Sequence, residues 1–246
     1  MKRSLFFLFI ISITVQISDA QLWKLKRWEA QIGVGPSFSF PDIGGYSIGD
    51  NFLGFRDISY HQTRFNLNGN LRYRLSRVTN LRLSLTYAML HSTDTRGSNE
   101  GRLFESTTNL FEPALIGEFY FVKNRYESSY LFLKGKSLWT LLRSLDFYAL
   151  AGIGGTAFGV SGNDALVARG LETGGFTAVI PAGIGATLIY NPNINFGMEL
   201  GGRYTFSDYI DGYTSQYSRA NDVYYFLNFT FTYKFKTNAK GLPSLR

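Results

Sequence analysis

Two histidines, one of them followed by a serine, and a scatter of acids are the residues of this chain that could catalyse anything. His91-Ser92 near an acid would suit ester cleavage, in which a base takes the hydroxyl proton and a third group orients the base. An adjacent pair meets none of those needs, because base and hydroxyl must meet through space. Two polar residues at a loop junction are the better reading, and the same holds for His61. Asp94, Asp208, Asp211 and Asp222 show no metal-ligand spacing, and solvated loops account for them. The sequence has no phosphate-binding loop and no zinc motif, so no cofactor and no enzyme activity are expected.

A different set of charges recurs along the chain. Arg64, Arg72, Arg74, Arg82 and Arg203 stand with Glu29, Glu112, Glu118 and Glu199, a nearly balanced group. A solvated surface has no need of such balance, whereas charges enclosed in a narrow space must pair. Whatever carries them must therefore present them to one interior.

The elements are strands. Arg64–Ser76 reads RFNLNGNLRYRLS, with Phe65, Leu67, Leu71, Tyr73 and Leu75 alternating with Arg64, Asn66, Asn68, Asn70, Arg72 and Arg74. Period two is the signature of a strand with one apolar and one wet face. Seven further segments repeat it, at Trp28–Phe40, Leu81–Ser92, Leu103–Val122, Leu145–Val160, Gly175–Tyr190, Ile194–Asp208 and Asp222–Lys236. The fifth and sixth contain AGIGGTAFG and PAGIGATLIY, which could pass for short helices. Gly152, Gly154, Gly183 and Gly185 fall at every second position, as expected of strands whose inner face leaves room for bulky neighbours.

Connections alternate in length. Pro41–Tyr60, Thr93–Arg102, Ser161–Gly174 and Tyr209–Asn221 are long, while RVTN and NPN are tight. An even strand count with long loops at one end and short turns at the other describes an outer-membrane barrel. Trp28, Tyr73, Phe119, Phe121, Phe147, Tyr190, Phe196, Tyr233 and Phe235 fall at the periplasmic strand ends and would form an aromatic girdle. A soluble lipocalin-like barrel would need the opposite pattern, polar outside. The fold expected is an all-β, eight-stranded antiparallel transmembrane barrel, its lumen filled by side chains. Arg/Glu pairing inside it would be a plug fixing register and closing the barrel, although the glycines of the fifth and sixth segments could leave space for a channel.

The N-terminus places the chain in the export pathway. A basic MKR start, an apolar Leu5–Val15 and small residues before Gln21 read as a signal peptide over residues 1–20, with the barrel domain at 21–246. The apolar run is too short for a spanning helix. There is no cysteine, hence no lipid attachment and no disulfide. The net charge of +7 is spread along the chain, which suits anionic headgroups and excludes nucleic acid as a partner.

MELGGRYTFSDYIDGY at Met198–Tyr213, WEAQIGVGPSFSFPDIGG near the start and NEGRLFESTTNLFEPALIGEFYF before position 122 resemble the PorG-like outer-membrane barrels. That family includes a component of the type IX secretion system. The specific matches are Glu199, Gly201, Arg203, Thr205, Phe206, Asp208, Tyr209 and Asp211, with the spacing Glu112…Glu118. The resemblance implies a non-enzymatic barrel that touches periplasmic secretion-machine proteins and helps anchor them. This chain departs from the family in its weakly polar fifth strand, its tail Thr237–Arg246 and a long basic connection, Lys123–Arg143.

That connection falls where a short turn is the rule. Lys123, Arg125, Lys134, Lys136, Trp139 and Arg143 are its candidates for contact with a periplasmic partner, aided by the QLWKLKR start, or with lipid headgroups. The alternative function is a small pore or transporter for small solutes.

Overall fold

The computed structural model describes residues 22–40, 42–44, 60–95, 100–124, 129–133, 137–214, 221–238 and 241–244. The signal peptide expected over residues 1–20 lies outside them. The eight expected segments form eight strands: β1 (Trp28–Phe40), β2 (Arg64–Arg74), β3 (Thr79–Thr93), β4 (Glu105–Val122), β5 (Leu145–Gly162), β6 (Gly174–Ile189), β7 (Ile194–Thr205) and β8 (Val223–Thr237). Each pairs antiparallel with the next, and β1 pairs with β8, so the sheet closes and has no free edge.

Alternation explains the wall. Along β2 the residues Phe65, Leu67 and Leu71 are exposed while Asn66, Asn68, Asn70, Arg72 and Arg74 are buried. The same inversion runs through β3, β4, β7 and β8. A barrel with apolar residues outside and charges inside is matched to lipid around it, since water around it would leave the apolar face exposed.

Prolines locate the irregularities. The ladder from β1 to β8 passes from Val34–Phe229 to Ser37–Phe226, skipping the place of Pro36. The β4–β5 ladder likewise skips at Pro113, and the β5–β6 ladder at Pro181. Proline has no N–H to donate, so each sits where one neighbour is not hydrogen-bonded.

The glycines differ from expectation. A Cβ on Gly152, Gly154 or Gly183 would come within 2.3 to 2.7 Å of the carbonyl of Leu115, Pro113 or Leu200 on the adjoining strand. At these three the nearest atom is a backbone carbonyl, so they allow strands to approach, with the Ile116 and Ala114 side chains also close at Gly152 and Gly154. Gly185 alone of the four behaves as expected, lying under the Tyr148 ring.

At the periplasmic end the β2–β3 turn occupies Leu75–Val78, two residues earlier than RVTN, because β3 starts at Thr79. In the NPN turn, Asn191 Oδ1 accepts from the N–H groups of Asn193 and Ile194 at 2.8 and 2.7 Å. The 123–143 connection contains a 3-10 turn at Tyr130–Phe132 and a helix, α1 (Leu138–Arg143), capped by Ser137. At the opposite end, α2 (Asp164–Gly170) lies in the β5–β6 connection, capped by Asn163. Among the described residues of the tail, β9 (Pro243–Ser244) turns back onto β8, and the Trp28 indole N–H donates to the Gly241 carbonyl at 2.9 Å.

Candidate functional site: the barrel lumen and its two ends

Each luminal charge reaches the interior because its strand parity points inward. Arg72 on β2, Arg82 on β3, Glu118 on β4 and Glu199 on β7 form a belt across the lumen. Glu118 Oε1 lies 2.9 Å from Arg72 Nε and 3.1 Å from Arg82 Nε. Arg82 Nη1 reaches Glu199 Oε2 at 2.8 Å, and the Tyr148 hydroxyl donates to the same oxygen at 2.8 Å. Nearer the periplasm Arg74 Nε meets Glu29 Oε1 at 3.2 Å. Lys234 stands opposite Glu29 in the β1–β8 register and is also buried. On the extracellular side of the belt Arg203 Nε meets Glu112 at 3.3 Å, and the Tyr224 hydroxyl donates to Glu112 at 2.6 Å. Arg203 also stacks on Phe226, 4.6 Å from the ring centroid.

Arg64 departs from the expected set. It sits at the extracellular rim opposite Ser37, and its guanidinium donates to the carbonyls of His61 and Thr63 at 2.8 and 3.0 Å. Being the first residue of its strand, it is too far up the wall for the glutamate belt. Lys234 joins the luminal charges in its place, and its inward parity with Asn228, Thr230 and Thr232 was the signal for it.

Above the belt lies an apolar layer that alternation by itself concealed. Ala88, Leu90, Leu110, Phe158, Val160, Tyr224 and Phe226 pack together inside the barrel, with Ile210 from the β7–β8 connection. These residues share the inward parity of the polar ones, but attention to the outward apolar face passes over them. Several inward glycines sit against long neighbours. A Cβ at Gly33 would meet Asn68, at Gly201 the Arg203 guanidinium and at Gly185 the Tyr148 ring, all within 2.6 Å. Long neighbours fill the space the glycines vacate.

His91 and Ser92 are separated by the strand itself. His91 follows the outward series of β3 and Ser92 the inward one, so their side chains leave the backbone on opposite faces. His91 instead contacts Thr107 Oγ1 at 3.1 Å and Glu105 at 3.6 Å. Among the described residues no group of His, Cys, Asp or Glu is arranged to hold a metal ion.

Over the extracellular mouth the connections form a cap. Ile43, Phe104 and Leu166 are buried together, with Leu171 and Tyr213 packed against them. Arg102 ties the cap by pairing with both Asp94 oxygens at 3.0 Å and donating to the Asp42 carbonyl at 2.9 Å. Asp94 stabilises the Arg102 charge, holding its pKa above the ordinary value against the opposing effect of burial.

The periplasmic candidates divide. Lys123 is not available to a partner: its ammonium pairs with buried Asp146 at 2.5 Å and lies over the Tyr120 ring. Arg125, Lys134 and Lys136 lie outside the described residues. Trp139 is 77% exposed on α1, beside exposed Leu138, Leu142 and Arg143. The segment is held against the barrel by Leu131 N–H donating to the Tyr190 carbonyl at 3.0 Å and Asn124 Nδ2 to the Arg143 carbonyl at 2.9 Å. Girdle rings lie alongside, with Tyr190 and Phe196 centroids 5.5 Å apart and Trp28 and Tyr73 centroids 4.9 Å apart.

A closed eight-stranded sheet with a lipid-matched wall, a charge-paired interior and short turns at one end defines a transmembrane β-barrel of the outer-membrane class. The protein resides in the outer membrane. No protein-family model matches the chain, and no curated protein matches it. Solved structures similar to it include Neisserial surface protein A, at 12% identity over 85% of this chain and 97% of that one, TM-score 0.45. A major outer membrane protein from Thermus thermophilus overlaps 85% of this chain and 99% of its own at 13% identity, TM-score 0.44. OprG from Pseudomonas aeruginosa overlaps 86% and 98% at 12% identity, TM-score 0.42. At such scores the class rests on this chain's own closure and wall chemistry.

Proposed function

We propose that this is a non-enzymatic, structural outer-membrane barrel that anchors periplasmic partners, in the manner of a PorG-like component of a type IX secretion machine. It is exported by the signal peptide at residues 1–20. The observations that carry the reading are paired charges and an apolar layer packed inside the barrel, beside a periplasmic end that carries α1. A barrel crossed inside by paired charges contributes its position in the membrane and its surfaces. Trp139, Leu138, Leu142 and Arg143 supply an amphipathic surface of the kind that binds either protein or headgroups, with Arg125, Lys134 and Lys136 as further basic candidates. The secretion partner itself is argued from the sequence resemblance.

The test is copurification of periplasmic proteins with the intact chain and with a variant in which residues 125–142 are replaced by a short turn. Partners lost with that segment support anchoring; an unchanged set sinks it. A deletion strain with normal protein secretion would separately remove the type IX assignment.

A further inference from the structure

The β7–β8 connection does not arch over the barrel mouth; its first half turns down into it. Ile210 is 1% exposed and completes the apolar layer formed by Leu90, Leu110, Phe158, Val160, Tyr224 and Phe226. Its backbone is gripped from two sides, by β4 and by the residue that precedes β8. The Ile210 N–H donates to Asp222 Oδ2 at 2.8 Å, and its carbonyl accepts from Thr108 Oγ1 at 2.6 Å. Gly212 turns the chain back at φ 81°, so close to its neighbours that a Cβ there would lie 2.5 Å from Leu171 Cδ1 and 2.9 Å from Val160 Cγ1 on β5. Asp211 is buried beneath the cap and accepts from the N–H groups of Ile43 and Tyr213, each at 3.0 Å.

We propose that Phe206–Tyr213 is a proton-sensitive plug, seated most firmly while Asp211 and Asp222 are protonated and loosened as they ionise. Two buried carboxylates latch the segment, one to β8 and one to the chain after β1. Asp208 and Tyr213 face this latch from the plug itself, Asp42 from the segment after β1, and Asp94 with Arg102 from the β3–β4 connection. Arg102 is committed to Asp94, so its charge is already met by a carboxylate. Asp42 and Asp208 add like charge.

Burial, then Asp42 and Asp208, push Asp211 from the ordinary 3.8 up to about 7 against the two N–H bonds it accepts. Burial and Asp211 push Asp222 well up in the same direction. A raised value means that the seated plug prefers the protonated form. The latch is at full strength below the ordinary carboxylate value and weakens as pH rises through the folded one, across about pH 4 to 7 for Asp211. The inference rests on the barrel alone and stands whether or not a secretion machine is the partner.

The experiment is amide hydrogen exchange of the full chain in lipid vesicles at pH 5 and pH 8, corrected for intrinsic exchange. Protection at Ile210 and Tyr213 should fall at least tenfold at pH 8, while strand amides such as Leu83 keep theirs. Asp222→Asn retains an acceptor for the Ile210 N–H without ionising, so it should reduce the dependence, and the Asp211→Asn/Asp222→Asn pair should abolish it. Equal protection at both pH values, or an unaltered profile in the pair, overturns the plug. Should the pair not fold, Asp208→Asn removes a neighbouring charge while Asn can still accept from the Thr214 hydroxyl. It should move release to higher pH, and no movement counts against the proposal.

Discussion

Arg72 and Arg82 stand directly opposite each other in the β2–β3 register, and one oxygen, Glu118 Oε1, lies within 3.1 Å of both. Like charges placed across a strand pair repel. Here a carboxylate from β4 lies between them, which makes Glu118 the centre of the belt and not merely one of its members.

Glu118→Gln should therefore cost more than Arg72→Leu. The first leaves two buried guanidiniums facing each other, a loss of about 3–5 kcal/mol by the cost of breaking a buried pair. The second removes one side of a repulsive pair and leaves Glu118 with Arg82, at about 1–3 kcal/mol, within the ordinary range of core substitutions. Urea unfolding in detergent, followed by the heat-dependent shift on a gel, gives the order. The reverse ranking would count against the belt.

Gly185 and Tyr148 should behave as one unit. A Cβ at position 185 would lie 2.3 Å from Tyr148 Cζ, and the ring cannot retreat without breaking its bond to Glu199. Gly185→Ala should destabilise by about 1–3 kcal/mol, as overpacking does. Tyr148→Leu should cost less in the Gly185→Ala background than in the wild type. An additive double-mutant cycle would mean that the two do not share space.

Much of this was legible in the chain, for a physical reason. Strand parity is fixed by the pleat, so Arg72 and Glu199 had to face one side once their strands were placed. Rim position and competition were not legible. Arg64 has the parity of the belt but too great a height, and Lys123 lies in a basic run yet is captured by Asp146. The inward apolar layer escaped because Leu110, Phe158 and Phe226 neighbour outward apolar residues, and only closure of the barrel shows which face each takes. Ile210 belongs to a connection, and no periodicity reports that a loop turns inward.

Two seals in series make a prediction about conduction. The wild-type barrel should carry no current in a planar bilayer. The Arg82→Gln/Glu199→Gln pair removes charge from the belt but leaves Leu90, Leu110, Phe158 and Phe226 above it, so it too should be silent. Steady ohmic conductance from the wild type would restore the pore reading. Current from the pair alone would show that the apolar layer does not seal.

The lipid-facing wall can be tested for depth along a single strand. On β3, Leu81 and Leu85 both face outward, but Leu81 is opposite Tyr73 at the girdle, whereas Leu85 is opposite Gly69 and Pro113 in mid-wall. Arginine on a lipid face costs about 2–4 kcal/mol at the midplane and falls to about 0–1 near the interface, where the side chain reaches headgroups. Leu85→Arg should therefore destabilise the barrel in vesicles by several times as much as Leu81→Arg. Both positions are part-exposed on the same strand, so intrinsic strand preference and loss of a leucine cancel in the comparison. What remains is distance from the headgroups, and equal costs would mean that the band does not sit where the girdle puts it.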